Sequence, residues 1–192
     1  MKDELIQEAI IYVEELFSGN SDGHDAKHTM RVYHNAMKIA ENERCDLKIV
    51  ALAALLHDVD DHKLFHTTNN ANARAFLSRQ EMDGDTAEKI IAAINLVSFS
   101  KNKDKKPDFI EAQVVQDADR LDAIGAVGVA RTFAFGGRHE RDLEDSITHF
   151  HEKLLLLKDM MNTDTAKEMA KERHQFMISF LTEWEKETGE YV

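Results

Sequence analysis

Helix-breaking residues are scarce in this chain. Its 192 residues include one proline, Pro107, and eight glycines. Apolar side chains recur at helical spacing, and no segment alternates cleanly as a half-buried strand does. The pattern predicts helices over residues 2–17, 24–43 and 47–58, the third with Asp46 as its N-cap. Residues 59–69 are polar and histidine-rich, as in a loop. Further helices are expected at 70–80 and 85–98, with Asp83-Gly84 as the turn between them. Residues 100–107, ending at the proline, read as loop. Helices at 108–117 and 118–135 flank a polar junction, Gly136-Gly137-Arg138 breaks the pattern, and helices at 144–161 and 164–188 close the chain. The expected fold is all-α, with one domain spanning 1–192.

Composition narrows the function. The chain is 43% hydrophobic, enough for a sizeable core, and 31% charged, so much of each helix faces water. No run approaches the ~20 apolar residues needed to cross a bilayer, so no membrane partner is expected. The N-terminal Met1-Lys2-Asp3-Glu4 leads into an amphipathic helix, not a signal peptide. Cys45 alone cannot build a disulfide framework. These features favour the cytoplasm. A net charge of −12 repels large nucleic acids. It still permits a small anion where a cation and a few arginines reverse the local sign. A homodimer is compatible with the sequence.

Chemistry concentrates at His57-Asp58, which closes the apolar run 49–56. Neighbouring side chains on a helix diverge by about 100°, close to the roughly 90° between cis ligands of an octahedral ion. An ionised carboxylate beside Leu55-Leu56 is costly unless paired or metal-bound; the alternative is a helix end where His57 caps carbonyls. His28 opens a predicted inner face that continues through Val32, Ala36 and Ile39. Downstream, Asp117, Asp119 and Asp122 crowd one apolar-flanked segment. Imidazole mixed with carboxylate suits manganese above all, with magnesium, cobalt, nickel and iron(II) as alternatives, as one divalent cation. Water on such an ion loses its proton readily and can attack phosphorus.

The order His28-x-x-Arg31-Val32, His57-Asp58, Ala118-Asp119-Arg120-Leu121 resembles the HD superfamily of metal-dependent phosphohydrolases. Leu55 to Asp61 and Asp117 to Gly125 are similar to a stand-alone bacterial subgroup associated with nucleotide pyrophosphohydrolysis. The likeness continues through 131–137 and 146–150. It implies an HD-type helical bundle with a metal-site core over about 20–125 and C-terminal helices, about 126–192, completing the pocket. The ligands implied are His28, His57, Asp58 and Asp119. Asp119 is chosen because it precedes Arg-Leu, with Asp117 as rival and Asp122 as a hydrogen-bonding neighbour.

Around this quartet, Asp61 can orient water or act as a general base, and His62 and His24 can move protons. His62 and His66 are also the residues available to a second metal, although one is favoured. Lys63, Arg120, His149 and Lys153 are candidate phosphate contacts. Arg120 and Arg31 can equally pair with carboxylates, and Gly136 to His139 can form a lid. His174 can join the same cavity as His149 and Lys153. The expected substrate is a small phosphorylated compound, a nucleotide, cleaved at a phosphoanhydride with release of pyrophosphate. Alternatives are phosphomonoesterase, cyclic-nucleotide phosphodiesterase or guanosine alarmone hydrolase. A non-catalytic nucleotide- or metal-sensing domain is the competitor from another class.

Overall fold

The computed structural model describes residues 2–19, 25–62, 64–102 and 105–189. Among these it is all helical, with nine α-helices of nine residues or more, one four-residue helix and one 3₁₀ segment. Two compact units make up the chain, residues 1–119 and 120–192.

The first unit contains α1 (Lys2–Leu16), α2 (Ala26–Ala40), α3 (Leu47–Leu56), α4 (Ala71–Arg79), α5 (Gly84–Val97) and the short α6 (Phe99–Asn102). It also holds most of α7 (Ile110–Asp122). Helix α3 is central, packed by α1, α2 and α5. Its residues 49–56 are all buried, as expected of a helix apolar on every side. Ile49, Val50, Leu52, Leu55 and Leu56 are each 4% exposed or less. At about 1.5–3 kcal/mol per side chain, their burial makes α3 a rigid mount for whatever its C-terminus carries. Asp46 starts it as expected, accepting from the Lys48 and Ile49 amides at 2.9 and 3.3 Å.

The second unit contains α8 (Gly125–Arg138), α9 (Leu143–Glu152), the 3₁₀ segment Leu154–Met160 and α10 (Asp164–Thr188). Helix α8 packs on α9 and α10, and the 3₁₀ segment packs on both α9 and α10. Phe133 lies against Phe150, Phe180 and Trp184 at ring-centroid distances of 6.1, 5.8 and 6.1 Å.

Several expected boundaries differ. Residues 100–102, expected as loop, belong to α6. The polar junction near 117–118 is the interior of α7, where Gln116 is fully buried and its amide donates to the Leu96 carbonyl at 2.7 Å. The break falls instead at Ala123-Ile124. Gly125 there has φ +75°, and a Cβ on Gly128 would lie 2.3 Å from the Ala123 carbonyl oxygen. Gly136-Gly137-Arg138 does not break α8, because buried Gly136 packs so closely on Ser146 that its Cβ would meet Oγ at 2.5 Å. The expected helix 144–161 ends at Glu152 and continues as 3₁₀.

Candidate metal centre

Each part of the cluster is positioned by local structure. Asp25 caps α2, accepting the His28 amide at 2.7 Å, so His28 enters on the first turn and faces inward. The buried face of α2 runs through His28, Val32, Ala36 and Ile39, with Thr29, Asn35 and Ala40 beside them. Asn35 donates to the Ala118 carbonyl at 3.3 Å, tying α2 to α7 immediately before Asp119. His57 is the C-cap of α3. Its Nδ1 lies 2.8 Å from the Ala54 carbonyl. A carbonyl only accepts, so Nδ1 donates, and in the neutral ring Nε2 carries the lone pair.

These Nε2 atoms converge. His28 Nε2 and His57 Nε2 are 3.3 Å apart. Asp58 Oδ2 lies 3.4 Å from the first and 3.3 Å from the second. Asp119 Oδ1 lies 3.4 and 4.0 Å from them. One donor atom each from His28, His57 and Asp119 fall within 4.8 Å of one another. Both imidazoles are 2% exposed, against 13% for Asp58 and 22% for Asp119, so the carboxylates lie on the more open side. Burial alone would lower the His57 pKa. The Asp58 carboxylate outweighs it with help from Asp119, and the pKa is raised. Two imidazole nitrogens and two carboxylates around one point call for positive charge there. A divalent cation fits this donor set.

The rival, Asp117, is fully buried. Asp122, 1% exposed, is hydrogen-bonded by Arg131.

The remaining candidates are more dispersed. Asp61 follows the pair, its amide donating to the Asp58 carbonyl at 3.0 Å. His62 is 70% exposed, 4.0 Å from the Asp61 carboxylate. His66 is exposed. His24 and Lys63 lie outside the described residues. In the second unit Arg120 is 4% exposed and donates to the Met160 carbonyl, so part of its guanidinium is committed to the fold. His149 is on α9 and Lys153 is its C-cap, with the Lys153 amide bonded to the His149 carbonyl at 3.1 Å. Burial, then the charges of Lys153 and Arg141, hold the His149 pKa below the usual histidine range. His174, on α10, is likewise lowered by burial and then by Lys158. Arg141 had no role in the sequence reading. No motif marks it; only the fold brings its charge to bear on His149.

Comparison with known proteins agrees with the geometry. Residues 25–124 match the HD domain family. The Bacillus subtilis (strain 168) protein YpgQ is 44% identical over 184 residues, 92% of this chain and 90% of that protein. The crystal structure of YpgQ in complex with ADP has a TM-score of 0.82 at 41% identity, covering 95% of this chain and 97% of that one. An HD-superfamily hydrolase from Bacillus thuringiensis has the same TM-score at 36% identity, covering 100% of both chains. The chain belongs to the HD domain family and is, like the enzymes of that family, a metal-dependent phosphohydrolase.

Proposed function

We propose that this enzyme hydrolyses a phosphoanhydride bond of a small nucleotide, releasing pyrophosphate from a nucleoside triphosphate. The carrying observation is the convergence of His28, His57, Asp58 and Asp119, which we assign as ligands of one divalent cation, manganese in preference to magnesium, cobalt, nickel or iron(II). The nucleotide assignment is supported by the ADP complex of YpgQ and by the sequence likeness to nucleotide pyrophosphohydrolases.

A cation held by His28, His57, Asp58 and Asp119 would supply an acidified water and neutralise phosphate oxygens. The chain does the rest. His57 is fixed by its Nδ1 bond to Ala54, so its lone pair stays aimed inward. Asp61, next along the turn, is the proposed base that takes the nucleophile's proton; His62 and His24 are proposed to move protons at the leaving oxygen. Lys63, Arg120 and Lys153 are the cations proposed to meet substrate phosphate, with His149 proposed beside them as a neutral hydrogen-bond donor. Cys45 is a free thiol, in keeping with a reducing compartment, and the cytoplasmic nucleotide pool is the proposed source of substrate.

The test is a release assay over nucleoside tri-, di- and monophosphates, cyclic nucleotides and guanosine alarmones with manganese, magnesium, cobalt and nickel. Pyrophosphate from triphosphates is the expected product. Inorganic phosphate from monophosphates would make it a phosphomonoesterase instead. Tight nucleotide binding with no turnover across the panel would make it a sensor.

A further inference from the structure

The metal reading leaves one acidic residue of the 57–61 turn unused. Asp60 lies two residues beyond Asp58, in a run where any carboxylate looks like a ligand. Its two oxygens are engaged elsewhere. Helix α4 begins without a cap of its own: Asn70 at its N-cap has φ 54° and ψ 45° and makes no side-chain cap hydrogen bond. Asp60 supplies the cap from a distance. Oδ1 accepts the Asn72 amide and Oδ2 accepts the Ala73 amide, each at 3.0 Å. The Asn72 side chain returns the contact, donating to the Val59 carbonyl at 2.7 Å. Asn72 is itself held, since its carbonyl accepts the Tyr12 hydroxyl at 3.3 Å, and the Tyr12 ring stacks on Phe76 of α4 at 5.1 Å.

Three hydrogen bonds therefore bracket Val59-Asp60, and Val59 is fully buried. On its other side the turn hangs from α3 through the longer Val59 amide to Leu56 carbonyl bond, 3.4 Å. The Asp58 backbone is thus suspended between the end of α3 and the start of α4. A negative charge at a helix N-terminus is stabilised by the unpaired amides there and by the helix dipole. That anchor is directional as well as favourable.

We propose that Asp60 is a positioning residue for the metal centre: by anchoring the 57–61 turn to the N-terminus of α4 it fixes the angle at which Asp58 meets the cation. It touches neither metal nor substrate. Productive sites are held to within about 0.5 Å, and loss of a partner outside the ligand set typically weakens metal binding roughly 10–100-fold.

The inference rests on the metal assignment, and the experiment separates the two. Manganese binding is measured by titration calorimetry on metal-stripped wild type, Asp60→Asn, Asp60→Ala and Asp83→Asn, with folding checked by circular dichroism. Asp83 caps α5 in the ordinary way, accepting the Thr86 amide at 2.9 Å, and so controls for loss of a cap as such. Asp60→Asn is expected to weaken manganese binding about tenfold and Asp60→Ala by up to about 100-fold. Asp83→Asn should bind as wild type does. Excess manganese should restore most turnover to Asp60→Asn. Wild-type affinity in a folded Asp60→Asn protein, equal weakening by Asp83→Asn, or an unfolded Asp60→Asn protein would each overturn the proposal. Failure of the wild type to take up manganese would overturn the metal assignment instead.

Discussion

His57 and His149 are imidazoles in different units, and their surroundings pull their protons in opposite directions. Burial disfavours charge on both. At His57 two carboxylates reverse the effect and the pKa is raised. At His149 the neighbours Lys153 and Arg141 deepen it and the pKa is lowered. One environment is short of a positive charge and the other short of a negative one. The contrast shows that burial sets how much an ionisable group matters, while its neighbours set the sign.

Removing a carboxylate from the first environment should have the largest effect. Asp58→Ala is expected to abolish metal uptake and turnover while leaving far-ultraviolet circular dichroism near wild type, because α3 is held by its buried aliphatics. Elemental analysis beside the assay checks this; a variant that kept its metal and full rate would break the comparison at its stronger end.

The second environment should respond through substrate. Lys153→Ala removes the proposed charge-assisted contact to substrate phosphate, of a kind worth about 1.5–3 kcal/mol. KM for the nucleotide is expected to rise about tenfold or more, with manganese affinity unchanged. Steady-state kinetics at saturating metal reads this. Unchanged KM would remove Lys153 from the proposed substrate contacts.

The smallest effects lie in pH. His57, raised, contributes stability to the metal-free protein below its unfolded value of about 6.5. That contribution disappears as pH rises through the folded pKa. Cation uptake must expel the same proton, so manganese affinity climbs across that window. His149, lowered, contributes above its unfolded pKa, and its contribution is lost as pH falls toward the folded one. Imidazole resonances followed by NMR across pH 5 to 8 (roughly the range in which histidine titrates) should give midpoints on opposite sides of the ordinary histidine value. Midpoints on the same side would dissolve the contrast.

Where the chain carries strong local signals, the sequence reading and the structure agree closely. Asp46, Asp83 and Thr163 cap α3, α5 and α10 through their own side chains, and those helices begin within a residue of the expected places. Sequence and structure part where tertiary contacts offset an unfavourable local choice. The polar stretch at 116–118 resembles a break until the Gln116 amide finds the Leu96 carbonyl. Gly136-Gly137 resembles a helix break until Ser146 fills the space that the Gly136 side chain lacks. His57-Asp58 stands out because the pair closes an apolar run and His28 because it opens an inner helix face, whereas the choice of Asp119 over Asp117 comes from the resemblance to the HD superfamily. Asp60 does not stand out, since its hydrogen bonds reach residues 12 and 13 positions away, and nothing in Asp58-Val59-Asp60-Asp61 separates an anchor from a ligand.

The aromatic cluster of the second unit has a practical consequence. Trp184 is the sole tryptophan in the chain, half-buried and packed against Phe133 and Phe180. Its emission therefore reports on residues 120–192 alone. Two of the three tyrosines, Tyr12 and Tyr33, lie in residues 1–119, and with Tyr191→Phe they become a separate optical signal. Recording both during denaturation distinguishes two units that melt together from two that melt in turn, without adding a label to either.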